Sequence, residues 1–156
     1  RNGADVGDIH TVVVEAPSSP VWFEADEHQI RQVVWNLASN GLRAMRAGGR
    51  LRLAVGSDGA VDAPEEVVLT VEDDGCGIPP GQLDDIFQPF RSSFDRGTGL
   101  GLAIVYRIVT DYGGEIQVSS EVDRGTSVRV CLPVRGPVAM RQLLAGSLAA
   151  AEGVAR

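Results

Sequence analysis

Asn36 and Asn40 stand four residues apart and Arg43 three further on, so on a helix all three project along one stripe. Two amides and a guanidinium beside an apolar face can line a cleft, offering oxygens to a hard cation such as Mg²⁺ and donors to phosphate. A polar helix edge facing water has the same pattern. Asp73-Asp74-Gly75-Cys76-Gly77 follows an apolar stretch, which puts a carboxylate at the mouth of a strand, ahead of backbone open enough to approach a flat ligand. An ordinary acidic turn reads alike. Gly97-Thr98-Gly99-Leu100-Gly101 directly precedes a periodic helix, whose unpaired N–H groups and positive dipole end favour phosphate. The polar stretch 91–96 before it excludes a dinucleotide turn, which needs a buried strand there, and no GxxxxGK[ST] loop is present.

These residues need elements to hold them. Val12 and Val14, then Val21 and Phe23 beyond a Pro17–Pro20 turn, predict two short strands. Asp26 with Gln29 has the spacing of a capping box, and Ile30, Val33, Val34, Leu37, Ala38, Gly41, Leu42 and Met45 follow at helical spacing up to Gly48-Gly49. Leu51, Leu53, Val55 and then Val67, Leu69, Val71 alternate as half-buried strands around a polar loop over 56–66. Glycine and proline interrupt every period from Asp73 to Gly101, apart from a helical turn at Leu83–Phe87, and so long an irregular stretch marks function. A second helix, carried by Leu100, Ala103, Ile104, Ile108 and Val109, stops at Gly113-Gly114, and strands at Ile116, Val118 and at Val128, Val130, Leu132 follow. Successive strands joined by short turns favour antiparallel pairing with both helices on one face, a two-layer α/β sandwich with a mixed, mostly antiparallel sheet.

The chain's 156 residues suit one domain. At 44% hydrophobic and 22% charged it has the composition of a soluble globular protein, which excludes disorder over most of its length. A net charge of −7 repels nucleic acid and acidic membrane surfaces. No apolar run spans a membrane and no leader pattern opens the chain, so the expected location is cytoplasmic with no membrane contact by this piece. The start at Arg1 suggests a piece of a parent that could itself be membrane-anchored. Cys76 and Cys131, without a CxxC and with only His10 and His28 to assist, read as reduced thiols and not as a metal site. The expected organisation is a linker remnant over 1–8, the domain over 9–134, and an Ala- and Leu-rich tail over 135–156 that could form a helix.

In order, Asn36-x-x-x-Asn40, Asp73-x-Gly75-x-Gly77, Phe87-x-Pro89-Phe90 and Gly97-Thr98-Gly99-Leu100-Gly101-Leu102 resemble the N, G1, F and G2 boxes of sensor histidine kinases. Residues 9 to 134 are similar to the catalytic, ATP-binding domain of these two-component kinases, of the short-lid, nitrogen-regulation type. The wider GHKL superfamily also includes gyrase B, Hsp90 and MutL. The resemblance implies the Bergerat ATP-binding fold and Mg²⁺-ATP as ligand. It implies γ-phosphoryl transfer to a histidine on a separate dimerisation and phosphoacceptor domain, with a response regulator downstream.

On matching positions Asn36, Asn40 and Arg43 would be the catalytic group, with Asn40 the Mg²⁺ ligand, Arg43 a phosphate contact and Asn36 lining the polyphosphate cleft. Asp73 would accept the adenine amino group and so separate adenine from guanine, which presents an acceptor there. Gly77 would let the ring approach, with Gly75 and Ile78 beside it. Gly97, Thr98, Gly99, Leu100, Gly101 and Leu102 would bring a mobile lid and its N–H groups onto the phosphates, anchored at its other end by Phe87 and Phe90. Superfamily ATPases carry a Glu at position 36 as the base for water. Asn36 cannot accept a proton at neutral pH, which favours transfer to histidine over hydrolysis. Neither His10 nor His28 precedes an acidic residue as the family's acceptor does, so the acceptor is expected outside this chain.

Three positions depart from the family pattern. Phe94 stands where short-lid relatives place a Lys, so the γ-phosphate lacks that cation unless Arg91 or Arg96 substitutes, each of which reads equally as a solvated charge, and this motivates a nucleotide-responsive pseudokinase as the alternative reading. Gly41 replaces the usual Ala, at about 1 kcal/mol of helix stability. Ala44 offers no ring for adenine to stack on. A superfamily ATPase or an anti-sigma serine kinase is a further alternative, against which Asn36 speaks.

Overall fold

The computed structural model describes residues 9–60, 63–90 and 99–135. Five strands form one sheet: β1 (His10–Glu15), β2 (Gly49–Ala60), β3 (Ala63–Asp73), β4 (Glu115–Glu121) and β5 (Gly125–Pro133), in the spatial order β1-β2-β3-β5-β4. Two helices, α1 (Glu27–Ala44) and α2 (Gly101–Asp111), complete the fold with a 3₁₀ helix over Pro80–Asp85. The sections 1–8 and 136–156, read as linker and tail, lie outside the described residues.

The register explains why the helices share one face. Leu53, Val71, Val128 and Val118 form one cross-strand row, and Val55, Leu69, Val130 and Ile116 the next, so one side of the sheet is aliphatic. Val33 and Leu37 of α1 and Val105, Ile108 and Val109 of α2 bury against it. Arg52, Glu72, Ser127 and Ser119 form a row on the opposite side, where Arg52 bridges Glu15 and Glu72. Among the described residues that face carries no helix, and its polar side chains are satisfied by one another and by water.

Four local expectations are corrected. Val21 and Phe23 form no second strand. Pro17 and Pro20 punctuate this stretch, and Phe23 packs on the core while the Glu24 N–H bonds the Val134 carbonyl. With no hairpin partner, β1 pairs parallel to β2, His10 beside Gly49 and Glu15 beside Ala54, and α1 supplies the crossover that a parallel pair requires. The expected polar loop over 56–66 is mostly ladder, with β2 and β3 paired as far as Ala60 and Ala63 across an irregularity at Asp58/Gly59. The turn expected at Leu83–Phe87 begins earlier, at Pro80, because proline is pre-shaped for a helix's first position.

The helix ends follow their signals. Asp26 caps α1 by accepting the N–H groups of His28 and Gln29. Gly113 at φ +71° closes α2 in a Schellman arrangement, with Gly114 N–H on the Val109 carbonyl and Gly113 N–H on Thr110. Among the described residues no helix is long and apolar enough to cross a membrane.

Candidate functional site

Between α1, the end of β3 and the start of α2 lies a cavity of about 660 Å³, within the range that holds nucleotide-sized ligands. Asn36, Asn40 and Arg43 face it from α1, Asp73, Gly77 and Ile78 from the end of β3, and Gly99 to Leu102 from the start of α2. Residues 66 positions apart in sequence, Asn36 and Leu102, thus line one cavity. Gly97 and Thr98, with Arg91, Phe94 and Arg96, lie outside the described residues.

At one end stands Asp73, the last residue of β3 and half-buried. Its Oδ1 accepts the Gly75 N–H at 2.8 Å. Burial raises its pKa above the ordinary carboxylate value, and the neighbouring Asp74 charge adds to the rise, against N–H donation from Gly75 and Thr126. The turn after it is held on two sides. Cys76 N–H bonds the Ala44 carbonyl at 3.1 Å, and Ile78 N–H bonds Ser120 Oγ at 2.8 Å. Gly77 has φ +71°, and a Cβ there would overlap the Glu121 carbonyl oxygen, so the backbone requires this glycine whether or not a ring approaches. Gly75 does not line the cavity. It packs against Ala44 and braces Asp73.

At the other end the start of α2, Leu100 to Leu102, lines the cavity, which turns the helix's N-terminal backbone toward it, with no side-chain cap at Leu100 among the described residues. Asn36 faces this turn: a Cβ at Gly101 would stand 3.5 Å from Asn36 Oδ1. Asn36 Nδ2 is buried without a hydrogen-bond partner among the described residues, a donor open to an acceptor in the cavity. Among the described residues no three His, Cys, Asp or Glu side chains group as a metal site. This donor set suits Mg²⁺ held through an amide oxygen and a ligand's phosphates better than a resident metal held by protein alone.

The F-box rings divide. Phe87 meets Tyr106 of α2 with ring centroids 5.5 Å apart, whereas Phe90 is 79% exposed and off the cavity wall. Phe90 N–H bonds the Gly99 carbonyl at 3.0 Å, so the residues flanking 91–98 meet, both at positive φ. Residues that the motif reading passed over also line the wall: Trp35, Gly41, Gln82, Asp85, Thr126 and Val128. Trp35 had a signal, standing beside Asn36 off the apolar stripe. Thr126 had none, since only the β3–β5 pairing brings it opposite Asp73. His10 Nε2–H donates to the Met45 carbonyl, 2.7 Å away, and His28 is exposed near the start of α1. Cys76 is exposed, Cys131 buried, and both are free.

Residues 25–136 match the profile of the histidine kinase-, DNA gyrase B- and HSP90-like ATPases. The chain is 42% identical over 131 residues to sporulation kinase D of Bacillus subtilis (strain 168), covering 82% of this chain and 25% of that protein. It therefore spans about a quarter of the length of this curated relative. The catalytic domain of histidine kinase ThkA superposes with a TM-score of 0.70 at 28% identity, over 81% of this chain and 80% of that one. Full-length ShkA in complex with AMPPNP superposes with a TM-score of 0.69 at 29% identity, over 82% of this chain and 26% of that one.

Proposed function

The chain belongs to the family of histidine kinase-, DNA gyrase B- and HSP90-like ATPases, and we propose that it is the ATP-binding catalytic domain of a two-component sensor histidine kinase. It would bind Mg²⁺-ATP and present the γ-phosphoryl group to a histidine on a dimerisation and phosphoacceptor domain of the same parent, from which a response regulator takes the phosphate. The observation that carries the reading is that Asp73, the amides of α1 and the start of α2 line one cavity, with Gly41 of α1 beside Asp73 and Asn36 beside Gly101. That spacing suits a base at one end and a polyphosphate at the other.

Each wall has a chemical task in this reading. Asp73 accepts the amino group of adenine and repels the carbonyl of guanine. Asn40 supplies an oxygen to Mg²⁺, Arg43 a charge to phosphate, and the first turn of α2 its N–H groups. Mg²⁺ supplies charge neutralisation on the phosphates. Asn36 donates its unpartnered Nδ2–H and cannot take a proton from water, so bound ATP is kept for the acceptor histidine. Catalysis then rests on positioning and electrostatics. The binding of AMPPNP by ShkA supports a nucleotide in the cavity, and the kinase names of the relatives support the reaction type.

The test uses the parent kinase with γ-labelled ATP. Label on a histidine, lost in an Asp73→Asn variant, is the expected result. Nucleotide binding without label in the parent would favour the pseudokinase, and steady phosphate release by this chain alone would favour a hydrolase.

A further inference from the structure

Gly41 lies inside α1, fully buried, where a glycine weakens the helix and carries no turn. The structure supplies a reason. A methyl carbon at position 41 would stand 2.6 Å from Leu51 Cδ1, 3.3 Å from Asp73 Cβ and 3.5 Å from Asp73 Oδ2. Leu51 is only 1% exposed and packed within the core cluster, so a shift of its Cδ1 must be taken up by neighbouring core side chains. The volume that a Cβ on α1 would fill is filled from β2 by Leu51 instead, directly beneath the carboxylate.

Asp73 is closely bounded elsewhere, at its carboxylate by Gly75 and at its backbone by Gly125. A Cβ at Gly75 would come 2.6 Å from Oδ1, and one at Gly125 would overlap the Asp73 carbonyl oxygen. Gly75 and Gly125 thus bound Asp73 on the strand side, and toward α1 the Gly41–Leu51 contact acts beside the Cys76 N–H bond to the Ala44 carbonyl in setting its distance. Asn40 is the next residue along α1, so a displacement at position 41 alters the spacing between Asp73 and the amide oxygen at once.

We propose that Gly41 and Leu51 form a size-matched pair that positions Asp73 against α1 and thereby sets the cavity's preference for a base bearing an amino group. Gly41 is a positioning residue acting through Asp73. The inference rests on the reading of the cavity as an ATP site.

The test compares Gly41→Ala, Leu51→Val and the double variant by calorimetry with ATP and with inosine triphosphate, which carries a carbonyl in place of the amino group. Gly41→Ala should lower the ratio of ATP to inosine triphosphate affinity by about fivefold or more, as expected for a charged hydrogen bond drawn off its line. The double variant should restore the ratio, since Val lacks the Cδ1 that clashes. Should Gly41→Ala fail to fold, the double variant carries the test, and a wild-type ratio in it supports the pair. An unchanged ratio in folded Gly41→Ala, equal losses for both nucleotides, or no recovery in a folded double variant would overturn the proposal. Absence of ATP binding by the unaltered chain would instead overturn the nucleotide reading.

Discussion

The Tyr112 hydroxyl donates to Gln29 Oε1 across 2.8 Å and accepts the Asp26 N–H at the same distance, so the residue that ends α2 closes the first turn of α1. The reciprocal bond of a capping box is thereby relayed through a side chain 83 positions away in sequence. Tyr112 is 4% exposed.

Tyr112→Phe keeps the ring and removes the relay, leaving Asp26 N–H and Gln29 Oε1 without this partner. The expected loss is about 1–3 kcal/mol in urea unfolding with an unchanged m-value. Stability equal to wild type would show that water replaces the hydroxyl without penalty.

Gly125 has φ +115°, and a Cβ there would overlap the backbone oxygen of Asp73. Gly125→Ala therefore combines a disfavoured dihedral with a backbone clash, and roughly 3 kcal/mol or more of stability should disappear. A melting temperature close to wild type would contradict this packing of the β4–β5 turn on Asp73.

The pKa of Asp73, raised chiefly by burial, predicts a pH dependence for the proposed nucleotide binding. In the proposed ATP complex the ionised carboxylate is the stronger acceptor for the adenine amino group, so binding would favour that form and expel a proton from the protonated group. ATP affinity should be flat above the raised pKa and fall as pH drops through it, by up to about tenfold per unit, starting above the ordinary carboxylate range. Titrations of wild type and Asp73→Asn over the same pH series check it, because the nucleotide's own ionisation is common to both. An identical slope in the variant would remove Asp73 from the site.

Trp35 is 72% exposed yet lines the cavity, whereas Trp22 does not line it. In a Trp22→Phe variant the remaining indole should report ATP as a saturable change in emission whose midpoint matches calorimetry. Binding heat without any change in emission would place the nucleotide elsewhere.

Periodicity made much of this architecture legible. The aliphatic alternation of β2, β3 and β5 and the helical spacing of α1 and α2 follow from which side chains must leave water, and Asp26 and Gly113 mark two helix ends in the sequence itself. The parallel placement of β1 was not legible, because Val12 and Val14 alternate identically in either pairing direction and Val21 and Phe23 imitate a partner strand. Asn36, Asn40 and Asp73 could be singled out because amides on a stripe and a carboxylate before glycines are unusual local patterns. Gly41 showed only a departure from the usual residue, without its reason, since Leu51 meets it through tertiary packing. Thr126 enters the cavity wall through the sheet register alone.

Calorimetric titration of this chain with ATP in the presence of Mg²⁺, beside GTP and beside Asp73→Asn with ATP, tests the central claim most directly. The account predicts saturable ATP binding, weaker by at least about tenfold for GTP and for the variant. No binding at millimolar ATP, or equal affinity for ATP, GTP and the Asp73→Asn protein, would contradict it.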